Sequence, residues 1–326
     1  MNAIATQRRG LPLLITAETC SGGTYIVTGA NTGLGFEAAK RLVALSAAKV
    51  VLAVRNVAAG ETAKAEIEEA TGKTGVAEVW ALDLASHESV KAFANRAIAD
   101  LERIDALIEN AAVAMAGGPL IDGHVAVLTV NLISTLLLAV MLLPKMSEGA
   151  KKFGILPHIV AVTSRAGFDV REDWDKIKDD PIAKIDAGDI DILKSYETFE
   201  MSLANPSILN QADQDFPGVV LNLVCPGLCK TELSRNAPLQ FREWIAKQHA
   251  EFGRTAEDGS RTLLYGAVAG KESHGCLLDS CEIADDKVPN WVTDGEGRKW
   301  QKNLWDIVAN ELESIEPGCV KKLLSE

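Results

Sequence analysis

Apolar positions in this chain gather into short, nearly unbroken runs separated by longer stretches with helical spacing. Thr24 to Val27, Lys49 to Val54, Ala77 to Leu82, Ala106 to Glu109, His158 to Thr163 and Val219 to Val224 are the short runs, and each reads as a buried strand. The stretch from Phe36 to Val43 reads as a helix that turns Phe36, Ala39, Leu42 and Val43 inward. Strand and helix alternate throughout. That order predicts an α/β fold, a doubly wound parallel sheet of the Rossmann type, with its ligand crevice beyond the C-terminal strand ends. Gly29, Arg55, Asp83, Asn110, Ser164 and Pro226 all fall at such ends.

One apolar run is longer. Leu132 to Leu143 ends at Pro144 and falls short of the ~20 residues a membrane span requires. It is apolar on every face, so the sheet should cover one side and a neighbouring helix or a second subunit the other. With no Pro/Ser-rich linker, residues 23–326 are expected to form one domain after an N-terminal extension, 1–22. The apolar segment Leu11 to Ile15 is too short and interrupted for a signal peptide.

The chain of 326 residues is 47% hydrophobic, ample for a core, and carries a net charge of −12. That charge argues against a nucleic acid or an anionic membrane surface as partner, leaving a small molecule as substrate and the cytoplasm as location. Six cysteines without paired spacing and five scattered histidines predict reduced thiols and no metal.

The strongest chemical signal is Thr28-Gly29-Ala30-Asn31-Thr32-Gly33-Leu34-Gly35, where a strand breaks into glycines and reopens as a helix. Gly29 permits a tight turn, Gly33 lets the backbone approach a pyrophosphate, and Gly35 allows close helix–strand contact. The free amides at the helix start favour an anion. A second strand, Lys49 to Val54, completes the βαβ unit that a dinucleotide site requires.

On these residues the chain resembles the short-chain dehydrogenase/reductase family from about Tyr25 to Thr231, and most resembles fungal, retinol-dehydrogenase-like members. The resemblance makes Gly29, Asn31, Thr32, Gly33, Leu34 and Gly35 the cofactor loop, and places Asp83 and Leu84 at the adenine. Glu109-Asn110-Ala111-Ala112 is similar to the family's Asn-Asn-Ala-Gly, with Glu109 and Ala112 departing from it. Pro226, Gly227, Leu228 and Thr231 resemble the loop beside the nicotinamide, and Asn131, Ser164 and Tyr196 match the active-site Asn, Ser and Tyr. Ser164 also reads as a plain strand-end serine, and Asn131 as a cap at the start of the apolar helix. That helix and the Tyr-bearing helix often pair across a homodimer interface in the family, although a helix can equally be hidden inside one chain.

Two positions set expectations for the chemistry. The second strand ends Ala53-Val54-Arg55-Asn56, with no carboxylate for a ribose 2′-hydroxyl, whereas Arg55 offers a planar fork for the 2′-phosphate of NADP. NADP(H) is therefore expected over NAD(H). In the family a Lys four residues after the Tyr lowers its pKa, but here the stretch is Tyr196-Glu197-Thr198-Phe199-Glu200. Position i+4 shares a helical face, so Glu200 reverses the sign of the charge beside Tyr196, and Lys194 lies on the far side. A free Tyr titrates near ~10, so an anion there disfavours the tyrosinate, unless burial protonates Glu200.

The segment between Ser164 and Tyr196 reads as an acidic surface insertion, 169–194, with Phe168, Asp169, Arg171 and Trp174 as substrate-selecting candidates. Region 233–261, with Phe241, Trp244 and Phe252, reads as a helical lid over an apolar substrate, with plain helix packing as the rival. The expected function is an NADP(H)-dependent oxidoreductase acting on a small carbonyl or alcohol in specialised metabolism. A fold repurposed for non-redox cyclisation, isomerisation or elimination, and a silent binding protein, stay open because of Glu200.

Overall fold

A computed structural model describes residues 7–114, 120–169, 171–188 and 218–321. The chain enters through α1 (Ala17–Cys20) and alternates β1 (Thr24–Thr28), α2 (Gly33–Ala44), β2 (Lys49–Val54), α3 (Val57–Thr71), β3 (Ala77–Ala81), α4 (His87–Asp100) and β4 (Ala106–Glu109). A hairpin of β5 (Leu120–Ile121) and β6 (His124–Val125) follows. Its Asp122 and Gly123 both have positive φ, 49° and 96°, as a tight two-residue hairpin turn requires.

Next come α5 (Ala126–Leu128), a π-helical turn Thr129–Ile133, α6 (Ser134–Phe153) and β7 (His158–Val162). Then α7 (Arg171–Ile177), α8 (Pro181–Ala187), β8 (Val220–Cys225), α9 (Leu239–Glu251) and α10 (Ala256–Gly266) are formed. The chain closes with β9 (Leu277–Asp279), β10 (Glu282–Ile283), α11 (Asn290–Thr293) and α12 (Gly295–Ile315).

The main sheet has the order β10-β9-β8-β7-β4-β1-β2-β3, parallel except for the antiparallel pair β9–β10. Its order reverses between β1 and β4, which places the crevice over their C-terminal ends. The central strands bury side chains on both faces, which is why they read as unbroken apolar runs. One face is covered by α4, α6 and α12, meeting at Phe93, Leu138, Val308 and Leu312. The other is covered by α2, α3 and α10, meeting at Ala39, Leu42, Ile67 and Leu263. In α2 the inward face is Ala38, Ala39, Leu42 and Val43, while Phe36, expected inside, is half-buried.

The apolar helix departs from its expected limits. It does not stop at Pro144 but runs on to Phe153, and with α5 and the π-turn it is continuous over Ala126–Phe153, 28 residues. A helix of that length and composition could cross a membrane, yet 83% of its apolar window is buried within this fold. Pro144 removes one backbone donor, and burial against the sheet, α4 and α12 offsets the loss.

The insertion is also less exposed than its charge suggests. In α7 and α8 the residues Trp174, Ile177, Ile182 and Ile185 enter the core against α12. Trp174 is 1% exposed, so it is a packing residue and not a substrate reader. His124 ties three elements together: its Nδ1 meets Asp186 of α8 at 2.6 Å and its Nε2 meets Glu311 of α12 at 3.2 Å. Of the proposed lid, α9 buries no residue and leaves Trp244 47% exposed, while 256–261 belong to α10 on the sheet.

Candidate active site

The crevice is built around the turn from β1 to α2. Gly29 holds φ +66°, and a Cβ there would lie 3.0 Å from Ala111 Cα. At Gly35 a Cβ would lie 2.6 Å from Asn110 Nδ2 and 2.8 Å from the Gly29 carbonyl, so only glycine lets α2 start this close to the strands. Thr32 caps α2 in extended conformation without a side-chain hydrogen bond, which leaves the first-turn amides for an anion. Asn31 is half-buried and Thr32 exposed beside the turn. The Leu34 side chain packs beside Gly259 of α10.

Thr28 organises the floor. Its Oγ1 accepts from the amides of Asn110 and Ala111 at 3.0 and 2.9 Å, and its carbonyl accepts from Asn110 Nδ2 at 2.9 Å. The Asn110 side chain is thus held against β1 and clamps the ends of β1 and β4 together. Glu109 is buried at 5% exposure immediately before it.

Across the crevice, Thr231 Cγ2 stands 3.4 Å from the position a Gly33 Cβ would take, so the glycine turn and the loop after β8 face each other. That loop begins at Pro226 and Gly227, the latter at φ +75°. Burial pushes the Cys229 thiol up to about 12, and it donates to the Pro226 carbonyl at 3.4 Å.

Arg55 is exposed directly after β2, and Asn56 spends its side chain capping α3 through the Ala59 amide at 3.1 Å. Asp83 accepts from the Ala85 amide at 3.0 Å after β3, and Leu84 is buried at 6% exposure.

Asn131 is not a helix cap. It sits inside the π-turn, where its Oδ1 accepts from the Val113 amide at 2.8 Å and its Nδ2 donates to the Val113 carbonyl at 3.0 Å. Ser164 lies just beyond β7, half-buried, with Oγ accepting from the Ala166 amide at 3.2 Å. The next residue, Arg165, reaches Asp279 Oδ2 at 2.9 Å. Burial alone would raise the Asp279 pKa, but Ser280, Arg165 and Lys287 outweigh it and hold the carboxyl below its usual range. Tyr196, Glu200 and Lys194 lie outside the described residues, as does the end of the insertion.

The sequence marks Thr28 only as the position before the glycine turn and does not mark Asp279 or Arg254, although Asp279 holds Arg165 and Arg254 donates to the Pro226 carbonyl. Thr28 had a visible signal, standing before the first glycine at a strand end. For Arg254 there was none, since its contacts are remote in the chain.

The sequence model described as short chain dehydrogenase matches residues 24–175. The chain is 35% identical over 319 residues to short chain dehydrogenase/reductase dmxR8 of Cryptosporiopsis sp., covering 91% of this chain and 93% of that one. This chain belongs to the short-chain dehydrogenase/reductase family. It is also 39% identical over 275 residues to short chain dehydrogenase atnD of Emericella nidulans, covering 80% and 85% of the two chains. Among solved structures, 3-ketoacyl-(acyl-carrier-protein) reductase from Brucella melitensis, complexed with NADH, superposes with TM-score 0.59 at 20% identity, covering 80% of this chain and 97% of that one. A metagenomic short-chain oxidoreductase in complex with NADP superposes with TM-score 0.53 at 25% identity, covering 80% and 96%.

Proposed function

We propose that this family member is an NADP(H)-dependent oxidoreductase acting on a small carbonyl or alcohol in specialised metabolism, as its fungal relatives suggest. The observation that carries the reading is the cradle between Gly33 and Thr231, floored by Thr28 and Asn110, in which side chains larger than glycine would close the approach to α2. A nicotinamide cofactor bound there would supply or accept a hydride. The α2 amides and Thr231 would hold its phosphates and nicotinamide half, Ser164 Oγ would bond the substrate oxygen, and Tyr196 would move the proton at its phenol. The related folds crystallised with NADH and with NADP differ in cofactor, so Arg55 is what favours NADP(H) here.

Fluorescence titration with NADPH and NADH tests this. Wild type should prefer NADPH by about tenfold, and Arg55→Ala should erase the preference by weakening NADPH alone. Equal loss for both cofactors, or no loss, removes the assignment.

A non-redox reading rests on one sequence observation, Glu200 four positions after Tyr196. Glu200→Lys separates the two. In a weakened reductase it should raise NADPH-dependent reduction of generic carbonyls, because a cation favours the tyrosinate. In a non-redox enzyme it should damage the native conversion.

A further inference from the structure

The loop Pro226 to Leu228 is clasped by residues that the family motifs do not include. Gln7 pairs with Leu228 as a neighbouring strand would: Oε1 accepts from the Leu228 amide at 2.9 Å and Nε2 donates to the Leu228 carbonyl at 3.0 Å. The same Nε2 also reaches the Phe252 carbonyl at 2.7 Å. From the other side comes Arg254, 1% exposed, whose Nη1 donates to the Pro226 carbonyl at 2.5 Å and Nε to the Arg8 carbonyl at 2.7 Å.

Its Nη2 donates to Ser280 Oγ at 2.7 Å, and Ser280 passes a hydrogen bond to Asp279 at 2.7 Å. Asp279 in turn holds Arg165, the neighbour of Ser164. Gly227 is pressed onto this assembly, since a Cβ there would lie 2.5 Å from Gln7 Oε1 and 2.8 Å from Arg254 Nη1. The N-terminal segment is itself anchored, with the Gly10 and Leu11 amides donating to Asp258 at 3.0 and 2.6 Å and Arg261 donating to the Leu11 carbonyl.

We propose that Gln7 and Arg254 are positioning residues, which strap the N-terminal segment across the loop from Pro226 to Leu228 and fix its grip on the nicotinamide half of the cofactor. The inference rests on the reading above that this loop meets the nicotinamide. It follows from the hydrogen-bond account: without the strap, the Leu228 amide loses its partner, and the carbonyls of Pro226 and Leu228 keep only the Cys229 thiol and the Arg254 backbone amide. Order must then be imposed on the loop when the cofactor arrives, which weakens binding. A guanidinium suits the task because its planar fork reaches three acceptors in different directions, which a lysine ammonium on a flexible stem cannot reproduce.

The test uses the full chain and two probes that differ only in the nicotinamide ring, NADH and ADP-ribose. Gln7→Ala should weaken the dinucleotide about fivefold while leaving ADP-ribose affinity and the ligand-free Tm close to wild type. Arg254→Met should weaken it further, with Arg254→Lys recovering only part of the loss. If Arg254→Met fails to fold, the peripheral Gln7→Ala decides alone. Wild-type dinucleotide affinity in Gln7→Ala, or an equal loss for both probes, overturns the proposal. Wild type binding ADP-ribose but gaining nothing from the nicotinamide would instead overturn the underlying assignment of the loop, and the strap with it.

Discussion

Asn131 and Val113 exchange two hydrogen bonds, the carboxamide of one serving the backbone amide and carbonyl of the other. A side chain here replaces a strand, holding the segment after β4 against a π-turn whose altered winding points Asn131 at it. Asn131→Ala leaves both Val113 groups without their partner and should cost about 2 kcal/mol, seen as a Tm lower by about 4 °C in a circular-dichroism melt. Asn131→Asp keeps an acceptor for the amide but sets a buried carboxylate against the carbonyl, and should cost at least as much as Asn131→Ala.

Gly35 and Gly72 separate crowding from conformational strain. At Gly35 an added methyl meets Asn110 and the Gly29 backbone below 3 Å, so Gly35→Ala should cost about 2 kcal/mol or more and abolish dinucleotide binding. Gly72, at the C-terminus of α3, has φ +67° and nothing within 4 Å of a Cβ. Gly72→Ala should therefore cost about 1 kcal/mol and leave dinucleotide binding intact in the same titration. Similar losses of binding in both variants would contradict the cradle.

Trp174→Ala tests whether the insertion belongs to the core. Truncating a fully buried Trp should cost about 3–5 kcal/mol, enough to lower the urea midpoint markedly. A near-neutral effect would return this segment to the status of a surface loop.

The strands and the crevice were legible because their chemistry is local. A strand buried on both faces must be an apolar run, and a turn that admits a backbone approach must carry glycine, so β1, β2 and Gly29 to Gly35 announced themselves. Helix limits were less legible at Asn131 and Pro144, since tertiary burial overrode an ordinary start signal and an ordinary stop signal. Trp174 was misread because charged neighbours mask a buried face in a helix as short as α7. The contacts of Gln7 and Arg254 span most of the chain, and no spacing rule encodes a partner 221 positions away.

The junction at His124 should respond to pH. Burial alone would lower its pKa, but the hydrogen bonds to Asp186 and Glu311 outweigh this and raise it above 6.5. With the folded value above the unfolded one, the stabilisation is complete below about 6.5 and is lost as pH rises through the folded value. Nearby His87 shifts the other way through burial and opposes this, losing stability as pH falls below about 6.5. Comparing variants isolates the junction: His124→Asn should lower the Tm by about 3–6 °C at pH 6 and by less at pH 8. An equal drop at both pH values would mean that no charge is at work there.

The antiparallel strand β10 has a consequence for how the protein behaves in a crowded solution. A parallel sheet ending at β9 would offer its open backbone to any passing extended segment. Instead, two residues turn back along that edge and stop. Glu282 in that short strand is joined by Arg8 at 2.6 Å, so an incoming chain meets an ion pair beside only two residues of template. The fold thereby shields that edge from a further strand, and the reversal holds Ser280 and Cys281 at φ 56° and 62°, where residues other than glycine are strained.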